Sequence, residues 1–142
     1  IILDVDHFKS INDQYGHPEG DRVLKEVAKS LQAVFGNRGI IGRLGGDEFV
    51  VLVHDQLTRE EVEGLLNVLK DRLGKIRIQD ERITCSVGVI PTEPEYTIDE
   101  LYRGADRLLY EAKKKGKDQF AFGYRFQDRE MEKKSGTEDG PE

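Results

Sequence analysis

One cysteine, Cys85, is all the chain offers for thiol chemistry. It lies in "ITCSVGVI", which reads as a buried strand, and a lone buried cysteine serves as a small core hydrophobe. With no disulfide to form, a cytoplasmic location is expected, although tethering through sequence upstream stays open. Long apolar runs are also missing: none approaches the roughly 18 residues of a membrane span. Positive charge is not in excess, and the net charge of −6 argues against non-specific nucleic-acid binding. An anionic ligand is still admissible, because a divalent metal reverses the local field. No initiator Met or basic leader precedes "IILDVD", and the only methionine is Met131. The chain is therefore expected to open inside a strand, with more sequence upstream. What is present, 142 residues with 37% hydrophobic and 35% charged, suits one domain with one core.

Patterning predicts the elements. "IILDV" (1–5) reads as a buried strand, and "HFKSINDQYG" (7–16) as a short helix closed by Gly16. Residues 17–36 form a long helix, with Val23, Val27, Leu31 and Val34 at helical spacing, Pro18 at its start and Gly36 at its stop. "GIIGRL" and "EFVVLV" are strands around "GGDE", a hairpin whose glycines supply positive φ. A helix over 57–75 carries a capping box from Thr58 and Glu61, and one over 97–117 a second from Thr97 and Glu100. A strand is expected over 82–90, and "QFAFG" closes the ordered part as an edge strand. The domain should span 1–123, followed by a charged, disordered tail over 124–142. No internal repeat is visible. The order β-α-α-β-β-α-β-α-β gives an α/β layered domain. It is of ferredoxin-like or nucleotidyl-cyclase palm type, a mixed central sheet with flanking helices.

Two acidic clusters carry the chemistry. Asp4 and Asp6 end the first strand, and a period of two points them the same way. Taken alone they face solvent, cap the next helix or bind a metal. Asp47 and Glu48 sit on the hairpin turn, which is a polar tip or a tip that holds a cation. If the hairpin pairs with the first strand, both clusters converge at one sheet edge. Two or three carboxylates plus substrate phosphates suit Mg²⁺, an oxygen-seeking ion that keeps several waters. Such a set serves two-metal nucleotidyl transfer.

"DVDHFKSINDQYGHPEGD" followed by "RLGGDEF" resembles the GGDEF family, the diguanylate cyclases, over residues 1 to about 123. "RGADRLLYEAKKKGK" extends the likeness to the family's late helix and basic turn. The resemblance implies a palm-like cyclase acting as an antiparallel homodimer. Each subunit holds one GTP, and the pair makes cyclic di-GMP and two pyrophosphates. Mg²⁺ is the implied cofactor, with Mn²⁺ as a substitute.

By the same resemblance Asp4, Asp47 and the Val5 carbonyl are metal ligands, Glu48 shares a metal, and Asp47 takes the proton of the 3′-hydroxyl. Lys9 and the amides of residues 5–9 cradle phosphate at a helix start, where free N–H groups favour anions. Asn12 and Asp21 read guanine: a carboxylate accepts from N1–H and N2–H, and an amide meets O6. Without the family they read as helix-capping residues. Phe8 and His17 lie beside the base, with a packing role expected of His17. Lys113 and Lys117, otherwise a basic helix end favourable to the macrodipole, become phosphate ligands.

Three departures stand out. The family commonly has arginine and then asparagine after the glycine of the basic turn, where Lys117 and Asp118 follow Gly116. Lysine lacks the bidentate fork and the acid stands near phosphates, so both bear on triphosphate binding. The family's opening "DxLTGLxNR" segment and first helix are absent from the chain, which implies either exposed apolar surface on one sheet face or cover borrowed from another chain. The family's inhibitory "RxxD" falls on "GNRG" (36–39), where Gly36 and Gly39 occupy both functional positions, so no product-inhibition site of that type is expected. An upstream sensory or regulatory domain is the implied partner. Rival readings are a catalytically inactive GTP-binding regulatory module and a plain dimerisation domain.

Overall fold

The computed structural model describes residues 1–123; the expected charged tail lies outside the described residues. The elements follow the predicted order with two short strands, β4 and β5, added after α3: β1 (Ile2–Val5), α1 (Phe8–Tyr15), α2 (His17–Phe35), β2 (Gly39–Gly45), β3 (Glu48–Val53), α3 (Arg59–Leu73), β4 (Arg77–Ile78), β5 (Glu81–Arg82), β6 (Cys85–Val89), α4 (Ile98–Lys114) and β7 (Phe120–Phe122). Five strands form one mixed sheet in the order β2-β3-β1-β6-β7. Every pairing is antiparallel except β6 with β7. The α/β layered, palm-like architecture is thus present.

Alternation along β1 divides the molecule into two layers. Leu3 and Val5 face a core shared with Phe49, Val51 and Val87 from the sheet and with Val23, Val27, Leu31, Leu66 and Leu69 from α2 and α3. Ile2 faces the other way, onto Ala105 and Leu109 of α4. Asp4 follows Ile2 onto that second face. Ile40 and Leu52, register partners on β2 and β3, are 68% and 42% exposed, so this face bears bare apolar surface beside α4. Exposed apolar surface on one sheet face was one of the two expectations.

Local chemistry explains the helix ends. The Thr58 hydroxyl accepts from the Glu61 N–H at 3.2 Å, and the Glu61 carboxylate accepts from the Thr58 N–H at 3.0 Å, completing the expected box. The Thr97 hydroxyl accepts from the Glu100 N–H at 3.1 Å. Gly16, at φ 89°, ends α1 by donating to the Asn12 carbonyl.

Two boundaries depart from expectation. The strand predicted over 82–90 starts only at Cys85, because Arg82 pairs with Arg77 in the short β4–β5 ribbon. That ribbon turns at Gln79, a non-glycine residue at φ 53°, and "QD" is not a turn dipeptide that announces itself. The helix predicted over 97–117 stops at Lys114. Beyond it Gly116 and Lys117 take φ of 117° and 65°, which breaks the helical ladder.

Helix α4 rests directly on β6 at Gly88, where a Cβ would meet the Ala105 carbonyl oxygen at 2.2 Å and the Leu109 nitrogen at 2.5 Å. Neither backbone atom can yield without moving the helix. Gly88→Ala should therefore destabilise the fold by about 3 kcal/mol, as overpacking against backbone does. Urea unfolding would show it as a lowered midpoint at unchanged slope.

Candidate active site

The hairpin tip is built for close approach. Register shifts between Arg43 and Gly45, and Gly45 and Gly46 take φ of 152° and 38°. Gly46 occupies the left-handed region that side chains resist. The Arg43 Nε–H braces the turn by donating to the Gly46 carbonyl at 2.8 Å. Beyond the turn, Glu48 falls opposite Asp4 in the β1–β3 register. The two acidic clusters therefore meet at one edge, as the sequence required for a common site.

Asp4 is 8% exposed and forms an ion pair with Lys113, delivered from the last turn of α4. Its Oδ1 is buried without a hydrogen-bond partner. Asp47 stands beside it. Burial first, and then the Asp4 carboxylate, push the Asp47 carboxyl up to about 6. Burial works against the Lys113 ammonium, but Asp4, Asp47 and Asp6 outweigh it and raise its pKa. The Glu48 carboxylate accepts from the Tyr102 hydroxyl at 3.0 Å, across from α4.

These groups fit a divalent cation. An unpartnered buried oxygen on Asp4 and a carboxyl on Asp47 that resists ionisation are what a bound cation would relieve. Among the described residues no three His, Cys, Asp or Glu side chains are grouped to hold an ion by themselves. Backbone, water or phosphate oxygens must complete any shell, as suits Mg²⁺.

The residues expected to hold phosphate lie on the turns at the start of α1 and the end of α4. His7 precedes α1 in the left-handed conformation, φ 57°. Lys9 is exposed on the first turn. Lys117, in the turn after α4, brings its Nζ to 3.5 Å from His7 Nδ1. Asp118, the acid expected to stand near phosphates, is otherwise engaged: its carboxylate accepts from Arg82 Nη2 at 2.9 Å, and its N–H donates to Asp6 at 3.0 Å.

Helices α1 and α2 shape the remaining wall. A Cβ on Gly20 would lie 1.9 Å from Asn12 Oδ1 and 3.3 Å from Phe8 Cζ, so glycine is what lets Phe8 and Asn12 press against α2. Asn12 Oδ1 is buried and unpartnered, an acceptor without a donor. One residue on, Asp21 lines an open cleft of about 340 Å³ with Leu24, Lys25, Ala28, Arg43 and Phe49. His17 does not take the packing role expected of it: it opens α2 with its side chain exposed.

Sequence reasoning missed Tyr102, Arg82 and the engagement of Asp6. Tyr102 was findable, since it precedes Lys113 by three helical turns and shares its stripe. Arg82 carries no such signal, because nothing local announces the β4–β5 ribbon.

Comparison with known proteins fixes the class. Residues 1–119 match the family model "Diguanylate cyclase, GGDEF domain". The probable diguanylate cyclase DgcC of Escherichia coli K12 is 36% identical over 122 residues, 83% of this chain and 33% of that protein. Diguanylate cyclase DgcP of Pseudomonas aeruginosa is 37% identical over 120 residues, 82% of this chain and 18% of that protein. The active GGEEF domain of a diguanylate cyclase from Vibrio cholerae superposes with a TM-score of 0.77 at 33% identity, covering 87% of this chain and 81% of that one. The GGDEF domain of DgcB from Caulobacter crescentus, solved with c-di-GMP, gives 0.77 at 27% identity, over 85% and 74% of the two chains. The chain belongs to the GGDEF domain family of diguanylate cyclases, and it spans about a third or less of these curated relatives' length.

The raised Asp47 carboxyl makes a pH prediction. Folded protein keeps a proton that the unfolded chain releases near 3.8, so between that pH and about 6 the folded state binds more protons. Stability must then fall as pH rises through this window. In metal-free buffer with chelator, Asp47→Asn should be more stable than the parent at pH 7, with the gain shrinking as pH falls from about 6 and gone below the unfolded value of 3.8. Urea midpoints across the range would measure it; a variant less stable at pH 7 contradicts the assignment.

Proposed function

We propose that this chain is a diguanylate cyclase domain. It condenses two GTP into cyclic di-GMP and two pyrophosphates, with one GTP on each subunit of an antiparallel homodimer. The observation that carries the reading is the Asp4–Asp47 pair, Asp4 buried with an unpartnered oxygen and Asp47 half-buried, beside the lysines of the α4 turn. Asp4, Asp47 and the Val5 carbonyl would hold Mg²⁺, or Mn²⁺ in its place, with Glu48 alongside. When bound, the ion neutralises triphosphate charge and polarises the reacting phosphoryl group.

The chain's own residues supply the rest. Asp47 accepts the 3′-hydroxyl proton as that oxygen attacks the α-phosphorus of the partner's GTP. The bond to pyrophosphate breaks and the pyrophosphate leaves. A base that titrates near 6 suits this task at neutral pH. Lys9, Lys113 and Lys117 hold the phosphates. Asp21 accepts from guanine N1–H and N2–H, Asn12 meets the base edge, and Phe8 and His17 border it. Adenine would leave those polar groups unpaired. One subunit presents one hydroxyl to one phosphate, so both ester bonds form only in the dimer.

The alternative is a GTP-binding module without turnover. What favours it is the Lys113–Asp4 ion pair, which joins a phosphate ligand to a metal ligand. Incubation with GTP and Mg²⁺, in a chain carrying its native upstream residues, separates the two. Chromatography should show cyclic di-GMP and pyrophosphate; bound but unconverted GTP would establish the alternative.

Asp47→Ala should keep the fold and lose at least three orders of magnitude in rate, as removal of a base that also binds metal does. Asp21→Ala should weaken GTP binding by about tenfold or more and narrow the preference over ATP, read by competition binding. An unchanged preference would make Asp21 a helix-start acid only.

Product inhibition through an RxxD-type site should be absent. A side chain at position 39 would meet the Leu52 carbonyl oxygen at 2.3 Å, and Arg38 pairs with Asp55 at 3.5 Å. Calorimetry with cyclic di-GMP, the active site filled by a non-hydrolysable GTP analogue, should give no sub-micromolar binding that depends on Arg38.

A further inference from the structure

Asp6 sits two residues past Asp4 and is 5% exposed, yet no cation pairs with it directly in the described hydrogen-bond network. Its carboxylate accepts three bonds from neutral donors. Thr84 Oγ1 donates at 2.7 Å, Ser86 Oγ at 2.6 Å and the Asp118 N–H at 3.0 Å. Its own N–H donates to the Thr84 carbonyl at 2.9 Å. A buried carboxylate with three short donors is satisfied, and such charge-assisted bonds are the strong ones. That distinguishes it from Asp4, which keeps an unpartnered oxygen.

The donors come from two distant parts of the chain. Thr84 and Ser86 belong to the entry and body of β6, and Asp118 to the turn between α4 and β7. That turn runs through three successive positive-φ residues, Gly116, Lys117 and Asp118, at 117°, 65° and 48°. Lysine and aspartate resist this region, so the turn persists only when ties from outside hold it. The tie from Asp6 grips the residue next to Lys117. On the other side Asp6 precedes His7, whose ring lies 3.5 Å from the Lys117 ammonium. Arg82 draws the Asp118 side chain away to 2.9 Å from its own guanidinium.

We propose that Asp6 is a positioning residue, not a metal ligand: it locks the Lys117 turn against the β1–α1 turn, so both address one triphosphate. The proposal rests on the cyclase reading for the identity of that ligand, and on geometry alone for the lock.

The test uses Asp6→Asn in the full chain, with the double variant Thr84→Val/Ser86→Ala as a second route. The double variant removes two donors and leaves the carboxylate in place. Without nucleotide, the Asp118 amide proton should exchange at least tenfold faster in Asp6→Asn, and its resonance should move upfield. Affinity for inorganic triphosphate should fall about tenfold, and that for guanosine should not change. With GTP, KM should rise about tenfold and kcat should stay within threefold; the double variant should shift in the same directions by less. Rescue of KM by the double variant, or an Asp118 amide and triphosphate affinity that match the parent in both variants, overturns the lock. A fall in kcat at constant KM, with a raised Mg²⁺ requirement, overturns it in favour of metal ligation. If the parent, carrying its native upstream residues, turns over no GTP, the cyclase reading fails by itself. The Asp118 amide and the triphosphate affinity then decide the lock independently.

Discussion

Like charges brought together under a sheet edge are the constraint on which this structure turns. Asp4 and Asp47 share a partly dry site, and the cost of ionising both appears in the carboxyl of Asp47, pushed up to about 6. Each neighbouring feature answers that repulsion. Lys113 reaches Asp4 from α4, Tyr102 engages Glu48, and Asp6 takes three donors of its own. Remove the sheet pairing of β1 with β3, and the acids would separate into solvent and relax. The hairpin therefore presses unfavourable charge into place, and burial of Leu3, Phe49 and Val51 in the layer beneath supplies the driving force.

Helix α4 is the second half of that arrangement. Its amphipathic stripe carries Ala105 and Leu109 against Ile2, and it continues into Tyr102 at one end and Lys113 at the other. One helix face thus supplies both apolar cover and polar partners. This works because the α4 side of β1 alternates in the same way: Ile2 is apolar and Asp4 is charged. Gly88 sets the spacing, since the helix backbone comes too close for any side chain there. Packing depth and site geometry are fixed by one contact.

Much of this was legible in the residues. The order of the main elements, the hairpin and the Thr58–Glu61 box followed from period and turn chemistry, and the convergence of two acid clusters followed on condition that the hairpin paired with β1, as it does. They did so because each is local or needs only one long-range pairing. What escaped reading depends on registers that no local pattern announces. The β4–β5 ribbon has two residues in each strand and an unremarkable turn, so Arg82 could not be placed beside Asp118. Asp6 read as one of two equivalent acids at a strand end. Only the β1–β6 pairing shows that its partners are hydroxyls and an amide. The likeness of "GKDQ" to a basic loop pointed to a misplaced acid, and the ion pair with Arg82 resolves that local conflict.

Strain is distributed in the same way as charge. Of the four non-glycine residues with positive φ among the described residues, His7, Lys117 and Asp118 surround Asp6, and only Gln79 lies in the remote ribbon. Residues held in such conformations cost of order 1 kcal/mol each and persist where their surroundings over-determine them. Here the surroundings are a carboxylate with three donors, a β6 strand buried throughout and a parallel pairing of β6 with β7 that begins two residues after Asp118. A fold selecting for stability alone would spend glycine at these positions and separate the acids. Among the described residues, strain and crowded charge coincide at that edge alone, where lysine and aspartate are held in left-handed turns beside a carboxylate pair and the chain works against its own relaxation.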